Sequence, residues 1–333
     1  MRELIVKSEQ SKQRIDKFLV RELFSYTRAE IVRNIKNGNI LVNGKKAKPS
    51  YKLKGSDIIV IPSPLSSPGG RGRLKPNPEV KFEVIYKDRD IIVVDKPAGL
   101  KTHPINYDDK NSLINGLIAK FPEIKNISDP STRLAKTSPR RTSSEQADLR
   151  PGIVHRLDKD TSGIMIVARN QESFNELKKL FKERKITKKY LAVIHGKLKS
   201  KKGIIEKPIA RAGNYKKQVI AGRKTKTKIR EAVTEYKVLK EYKDYSLVEL
   251  TPHTGRMHQI RIHLFSLDHP VVGDDKYKLK KTIKPKNVSR QLLHAKDLEF
   301  KLWSKKHSFQ TELPEDFSDF LTPLEASVAR NDK

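Results

Sequence analysis

Apolar residues in this chain recur at two different periods, and the switches between them divide it into segments. In residues 11–62, Ile15, Phe18, Leu19 and Leu23 fall at helical spacing and predict an amphipathic helix. A second helix is predicted from Thr27, where Thr27 and Glu30 stand at capping-box spacing and Ile31 and Ile35 form the apolar stripe. Asn37–Gly38 should stop it, because glycine accepts the left-handed conformation that ends a helix. Short strands follow at Ile40–Val42 and Ile58–Ile61, with Asn43–Gly44 as a tight turn. Residues 63–78 are rich in Pro, Gly and Ser, lack an apolar period and read as a linker.

A larger segment, 79–321, is dominated by strand-like runs. Val80–Ile85 and Ile91–Val94 are joined by the charged turn Lys87–Asp90, and further strands are predicted at 190–195, 233–239, 245–251 and 292–300. Helical spacing covers 112–120, 171–185 and 256–267. Asn170 can cap the middle helix, whose stripe is Phe174, Leu177 and Phe181. With many strands, few helices and no regular strand–helix alternation, the pattern predicts an α+β fold with a largely antiparallel sheet. Residues 126–150 interrupt it with five serines, five basic residues and almost no large apolar ones, the composition of an exposed insertion. An arm that touches RNA and an inert insertion are both open readings of it. The last residues, 322–333, read as a loose tail.

Charge adds a partner class. Against 39 acidic residues the chain carries 71 Lys and Arg, a formal net charge of +32 spread along its length. Such a field favours polyanions, nucleic acid before an anionic membrane. The chain has no cysteine, which excludes disulfides and thiolate metal sites. No run reaches the roughly 20 apolar residues of a membrane span, and the opening residues MRELIVKSEQSKQR lack the apolar core of a signal peptide. A cytoplasmic protein is the expectation.

The most specific chemistry lies in GIVHRLDKDTSGIMIVAR, residues 152–169. Arg156 and Asp158 stand two residues apart in a polar turn between the strand-like Ile153–Val154 and Ile164–Val167, and strands on both sides would hold that turn rigid. The turn HRLDKDTSG resembles the active-site signature of the RNA pseudouridine synthases related to RluA and RluD. Three further segments resemble motifs of that family in the same order: IIVVDKPAGLKTHP at 91–104, KKYLAVIHG at 188–196 and TPHTGRMHQIRIH at 251–263. Residues 11–62 resemble the alpha-L RNA-binding module first described in a small-subunit ribosomal protein. One departure is visible: Met257 stands where the family usually has threonine, and methionine fills apolar space but cannot donate a hydrogen bond.

The resemblance implies a reaction and a set of roles. Converting uridine to pseudouridine balances atoms and electrons, so it needs no cofactor, metal or energy source. Asp158 would act on the ribose, at its anomeric carbon or by abstracting a sugar proton. Arg261 would pair with Asp158, since an ionised carboxylate in a pocket needs a cation. Tyr190 would stack on the base and assist the final proton removal from carbon 5. Arg156, with His155 beside it, would fill the place of the flipped uridine and contact a neighbouring phosphate. Arg14, Lys17, Arg28, Arg33 and Lys36 would bind RNA from the basic sides of the N-terminal helices. Gly163 would serve a close chain approach or an unusual dihedral.

His253, His258, His263 and His269 invite a metal reading, but their spacing does not stack them on one helix face and there is no HExxH pattern. Structural or RNA-contacting histidines are the expectation. The leading reading is a monomeric pseudouridine synthase acting on large-subunit ribosomal RNA. A transfer-RNA synthase and a catalytically silent RNA-binding factor are the competing readings.

Overall fold

The computed structural model describes residues 2–23, 28–62, 74–106, 108–127, 149–213 and 217–331, the side chains of 2, 28–30 and 328–331 excepted. The basic insertion expected at 126–150 and the linker expected at 63–78 lie mostly outside the described residues, as does the Thr27 capping box. The chain divides into two units, Met1–Leu74 and Lys75–Lys333.

The first unit contains β1 (Arg2–Ile5), α1 (Ile15–Glu22), α2 (Arg28–Asn37), β2 (Leu41–Val42), β3 (Lys45–Lys46) and β4 (Ile58–Ile61). Its strands form an antiparallel sheet in the order β1-β4-β2-β3. Ile15, Phe18, Leu19, Ile31 and Ile35 bury the helix stripes against Val42, Leu53, Ile59 and Ile61. Asn43 and Gly44 take φ of 50° and 73°, which gives a two-residue turn whose twist matches its flanking strands. The unit begins earlier than residue 11: RELI supplies β1, which pairs residue for residue with β4. Four residues are too few to show a clear period, so this strand was not predicted.

The second unit contains β5 (Glu83–Lys87), β6 (Ile91–Lys96), α3 (Leu113–Lys120), β7 (Ser162–Ala168), α4 (Gln171–Lys182), β8 (Ile186–His195), β9 (Lys202–Glu206), β10 (Ile209–Arg211), β11 (Gln218–Ile220), β12 (Val233–Glu241), β13 (Tyr245–Pro252), α5 (Gln259–Phe265), β14 (Leu293–Leu302), β15 (Lys305–Gln310) and α6 (Glu315–Asn331). One large sheet runs β5-β6-β7-β14-β8-β13-β12-β9, with β15 also on β14; β10 and β11 form a separate ribbon. Among its pairings only β7–β14 is parallel. All seven residues of β7 are buried, as expected for an apolar strand covered on both faces, whereas β13 alternates buried and half-buried positions.

Three expectations change. Ile153–Val154 is not a strand: Ile153 makes one isolated bridge to Val167, so the polar turn is braced by a regular strand on one side only. The first strand lies at Glu83–Lys87 rather than Val80–Ile85, because Val80 and Phe82 pack against Gly116 of α3. The tail is helical. Phe317, Phe320, Leu321 and Leu324 recur at helical spacing and pack on Leu191, Val193 and Tyr242, so α6 continues through Pro323 to Asn331. No helix among the described residues is long and apolar enough to cross a membrane.

Candidate active site

The turn Leu157–Thr161 is bonded to its surroundings through its backbone. Lys96, fully buried at the end of β6, donates from Nζ to the carbonyls of Lys159 (3.0 Å), Pro97 (2.8 Å) and Leu100 (2.9 Å). Burial depresses its pKa to about 7. Thr102 Oγ1 donates to the Leu157 carbonyl at 2.8 Å and accepts its N–H at 3.3 Å. Arg290, paired with Asp316 at 2.6 and 2.7 Å, donates to the carbonyl of Asp160 at 3.1 Å. The main chain of the turn is therefore fixed from three directions before any side chain faces the cavity.

Gly163 is the second residue of β7, which follows this turn directly. Its φ is 115°, and an added Cβ would fall on the backbone of Ala295 in β14. Both a close approach and a left-handed dihedral require glycine there. His155 accepts the Ile166 N–H at 2.9 Å and stacks on Phe181 of α4, with its pKa pushed down to about 3 by burial and Lys188. Part of the bonding capacity of His155 is thus used by the fold. Arg156 is exposed at the cavity.

A cavity of about 660 Å³ opens over the turn, lined by Arg156, Asp158, Tyr190, Met257, His258 and Arg261 among others. Arg261 is 4% exposed on α5. It donates from Nη1 to Asp158 Oδ2 at 2.8 Å, and from Nε and Nη2 to Asp274 at 2.6 and 2.8 Å. Asp274 accepts the backbone N–H groups of Lys276 and Tyr277 as well. Burial alone would disfavour the Arg261 cation, but the hydrogen bonds and charge of Asp274, then of Asp158, outweigh it and raise its pKa. The guanidinium is a fixed charge between two carboxylates.

Tyr190 lies on β8, 8% exposed, paired with Ala295 of β14 and Leu250 of β13. Burial, then the charge of Asp158, raises its pKa, so the phenol remains protonated at neutral pH. His258 takes the left-handed conformation, φ 56° and ψ 21°, which delays α5 from the predicted start at 256 to Gln259. Its Nδ1 lies 2.9 Å from the Tyr277 hydroxyl and its Nε2 lies 3.9 Å from Asp158 Oδ1.

Asp158, Tyr190, Arg261 and Arg156 therefore meet at one cavity although they come from widely separated segments. In the first unit, Lys17, Arg33 and Lys36 are exposed, while Arg14 pairs with the buried Asp16 at 3.0 Å. Arg28 belongs to α2, but its side chain lies outside the described residues. Of the other motif histidines, His253 is exposed at the cavity, 3.4 Å from Glu235, while two are held by the fold. His263 meets Thr234 at 2.9 Å and the Lys207 carbonyl at 3.0 Å, and His269 meets the His195 carbonyl at 2.8 Å. Asp274, Lys96 and Thr102 were not assigned roles by sequence reasoning. A lysine closing the apolar run of β6 was the one available signal; Asp274 has Asp275 beside it, and nothing local separates the two.

Comparison with known proteins accords with this geometry. Residues 90–266 match the family model for RNA pseudouridylate synthase, and residues 13–59 match the S4 domain. The chain is 32% identical to an uncharacterised RNA pseudouridine synthase, YlyB, of Bacillus subtilis (strain 168), over 97% of each chain. It is 33% identical to ribosomal large subunit pseudouridine synthase D of Buchnera aphidicola subsp. Acyrthosiphon pisum, covering 94% of this chain and 95% of that one. The structure of human RNA pseudouridylate synthase domain containing 1 superposes with a TM-score of 0.54 at 25% identity, covering 76% of this chain and 98% of that one. With family matches in both units and relatives aligned over nearly its whole length, the chain belongs to the RNA pseudouridine synthase family and is an isomerase of RNA uridine with an N-terminal S4 domain.

Proposed function

We propose that this enzyme forms pseudouridine in large-subunit ribosomal RNA, with Asp158 as the group that acts on the ribose. The observation that carries the reading is the division of labour on that carboxylate: Oδ2 is bonded to Arg261 at 2.8 Å, while Oδ1 has no hydrogen bond among the described residues and faces the cavity. A buried cation compensates one oxygen of the carboxylate, and the other oxygen is left to react.

In this proposal the C1′–N1 bond breaks with its electron pair going to the base. The base turns and C1′–C5 forms. The C5 proton is then removed as N1 takes one up, so atoms and electrons balance without a cofactor. Asp158 either bonds to C1′ as C1′–N1 breaks and is displaced when C1′–C5 forms, or removes a ribose proton and returns it to the sugar as C1′–C5 forms. Tyr190 stacks on the base, and its protonated phenol can act at C5 only through a partner or water. Arg156, long and planar at the cavity mouth, replaces the flipped uridine in its stack. The exposed basic residues of the S4 unit add affinity through phosphates.

The ribosomal target is supported by relatives named as large-subunit synthases that align across both units. Pseudouridine mapping in total RNA from cells with and without the gene tests it. Sites lost from large-subunit RNA are the expected result; sites lost only from transfer RNA would overturn the target and keep the enzyme. Asp158→Asn should abolish product and leave RNA affinity unchanged, and product retained by that variant would refute the assignment.

A further inference from the structure

His258 has a geometry that a packing role does not require. Its left-handed backbone is strained for a residue with a Cβ. That backbone sets the ring, 9% exposed, between Asp158 and Tyr277. The hydrogen bonds around Tyr277 fix where the histidine proton sits. The Gln218 N–H donates to the Tyr277 hydroxyl at 2.8 Å, so the hydroxyl acts as acceptor there. Its own proton then has one described acceptor, His258 Nδ1 at 2.9 Å. A ring that accepts at Nδ1 carries its hydrogen on Nε2. That N–H faces Asp158 Oδ1 across 3.9 Å, too far for a hydrogen bond, and has no other partner among the described residues.

We infer that His258 is a further catalytic residue, a neutral hydrogen-bond donor that binds a carbonyl oxygen of the uracil as it leaves the ribose. The inference rests on the pseudouridine synthase reading. Breaking C1′–N1 sends an electron pair to N1, and resonance spreads that charge onto the base carbonyls. A donor beside Asp158 meets the charge where it develops, and no proton need be transferred. The ring must remain neutral, since an imidazolium would instead bind Asp158 as an ion pair. Burial pushes its pKa down to about 4, with Arg261 and Lys276 opposing a charge on it while Asp158 and Asp274 favour one. Gln218 of β11 and Tyr277, in the segment between α5 and β14, are what distinguish this histidine from its neighbours in the motif: they select its tautomer.

Two measurements on the full-length protein test this. Nitrogen-15 spectroscopy of histidine-labelled enzyme at pH 7 should show His258 neutral with its proton on Nε2; a proton on Nδ1, or on both nitrogens, overturns the inference. Isomerisation of total RNA from cells lacking the gene should lose about 100-fold in kcat for His258→Leu, with KM unchanged. His258→Gln, whose amide can still donate, should recover most of that loss. Equal losses in the two variants, or full activity in His258→Leu, would overturn donation. Unfolding of His258→Gln, followed by circular dichroism, separates lost donation from lost fold. Product appearing in transfer RNA would overturn the proposed target while leaving the comparison of Leu with Gln decisive. No product from the wild-type enzyme on that RNA would overturn the activity reading and this inference together, whatever the tautomer.

Discussion

Asp274 holds Arg261 by two hydrogen bonds, 2.6 Å from Nε and 2.8 Å from Nη2, and so leaves only Nη1 to meet Asp158. The fork geometry of guanidinium makes this more than charge balance: two fixed N–H vectors set the direction of a third. Asp158 is therefore positioned by a residue that does not touch it.

Asp274→Asn keeps the shape and removes the charge. Arg261 would then turn toward Asp158 with more than one N–H, engaging the oxygen left free in the native site. The expected result is a fall in kcat with little change in KM, together with a stability loss of about 3 kcal/mol for a broken buried pair. Steady-state kinetics and urea unfolding check both. Unchanged kcat would show that Asp274 serves the fold alone.

Gly163→Ala tests the seam behind the turn. The substitution must place a methyl group against the Ala295 backbone at a φ of 115°, where neither a flexible side chain nor open space can absorb it. A loss of at least ~4 kcal/mol is expected, among the largest effects of a single methyl group. Trp303, the one tryptophan of the chain, lies in the tight turn between β14 and β15, so its fluorescence follows the catalytic unit without interference from the S4 unit. A variant as stable as wild type would mean that β7 and β14 separate easily at their parallel seam.

Buried neutral histidines give the catalytic unit an acid limb. Burial depresses His155 to about 3 and His294 to about 4, against an ordinary 6.5. Below pH 6.5 the unfolded chain takes up protons that the folded one refuses, so the stability these groups contribute is present above pH 6.5 and is lost as pH falls toward 3 to 4. Urea midpoints read from Trp303 should fall between pH 6.5 and 4.5. His155→Gln should lower the midpoint at pH 7 through lost packing on Phe181, yet flatten its decline with acid. An unchanged slope would assign the limb to other groups.

How legible this was in sequence depended on the range of the forces involved. Asp158, Arg156, Tyr190 and Arg261 could be named because each sits inside an ordered motif. The α+β class followed from apolar periods that real strands such as β7 and β13 keep. Asp274 could not be separated from Asp275, because burial and the reach to Arg261 are set by the chain's return to β8 at Val272, a tertiary contact that no local pattern shows. His258 looked like one histidine among four until the αL backbone and Tyr277 gave it a direction. Helix α6 was missed because residues 322–333 read as a loose tail, whereas its apolar face is covered by β8 and Tyr242. Lys96 was quoted within a motif but given no role; three carbonyl partners are visible only once the loops are brought together.

The S4 unit offers the last test. Lys17, Arg33 and Lys36 are exposed on its helices, with an aliphatic core directly beneath in Phe18, Leu19, Ile31 and Ile35. Replacing the three by alanine removes charge without opening that core, so the unit should remain folded. If each cation neutralises one phosphate, log affinity for RNA should become less steep in log salt by about 0.7 to 0.9 per residue replaced. The chemical step at saturating RNA should be unaffected, because Asp158, Arg261 and Tyr190 belong to the other unit. Filter binding across a salt series gives the slope, and single-turnover isomerisation gives the chemical step. An unaltered slope would move the RNA contacts off these helices; a slower chemical step at saturation would mean that the S4 unit does more than hold the substrate.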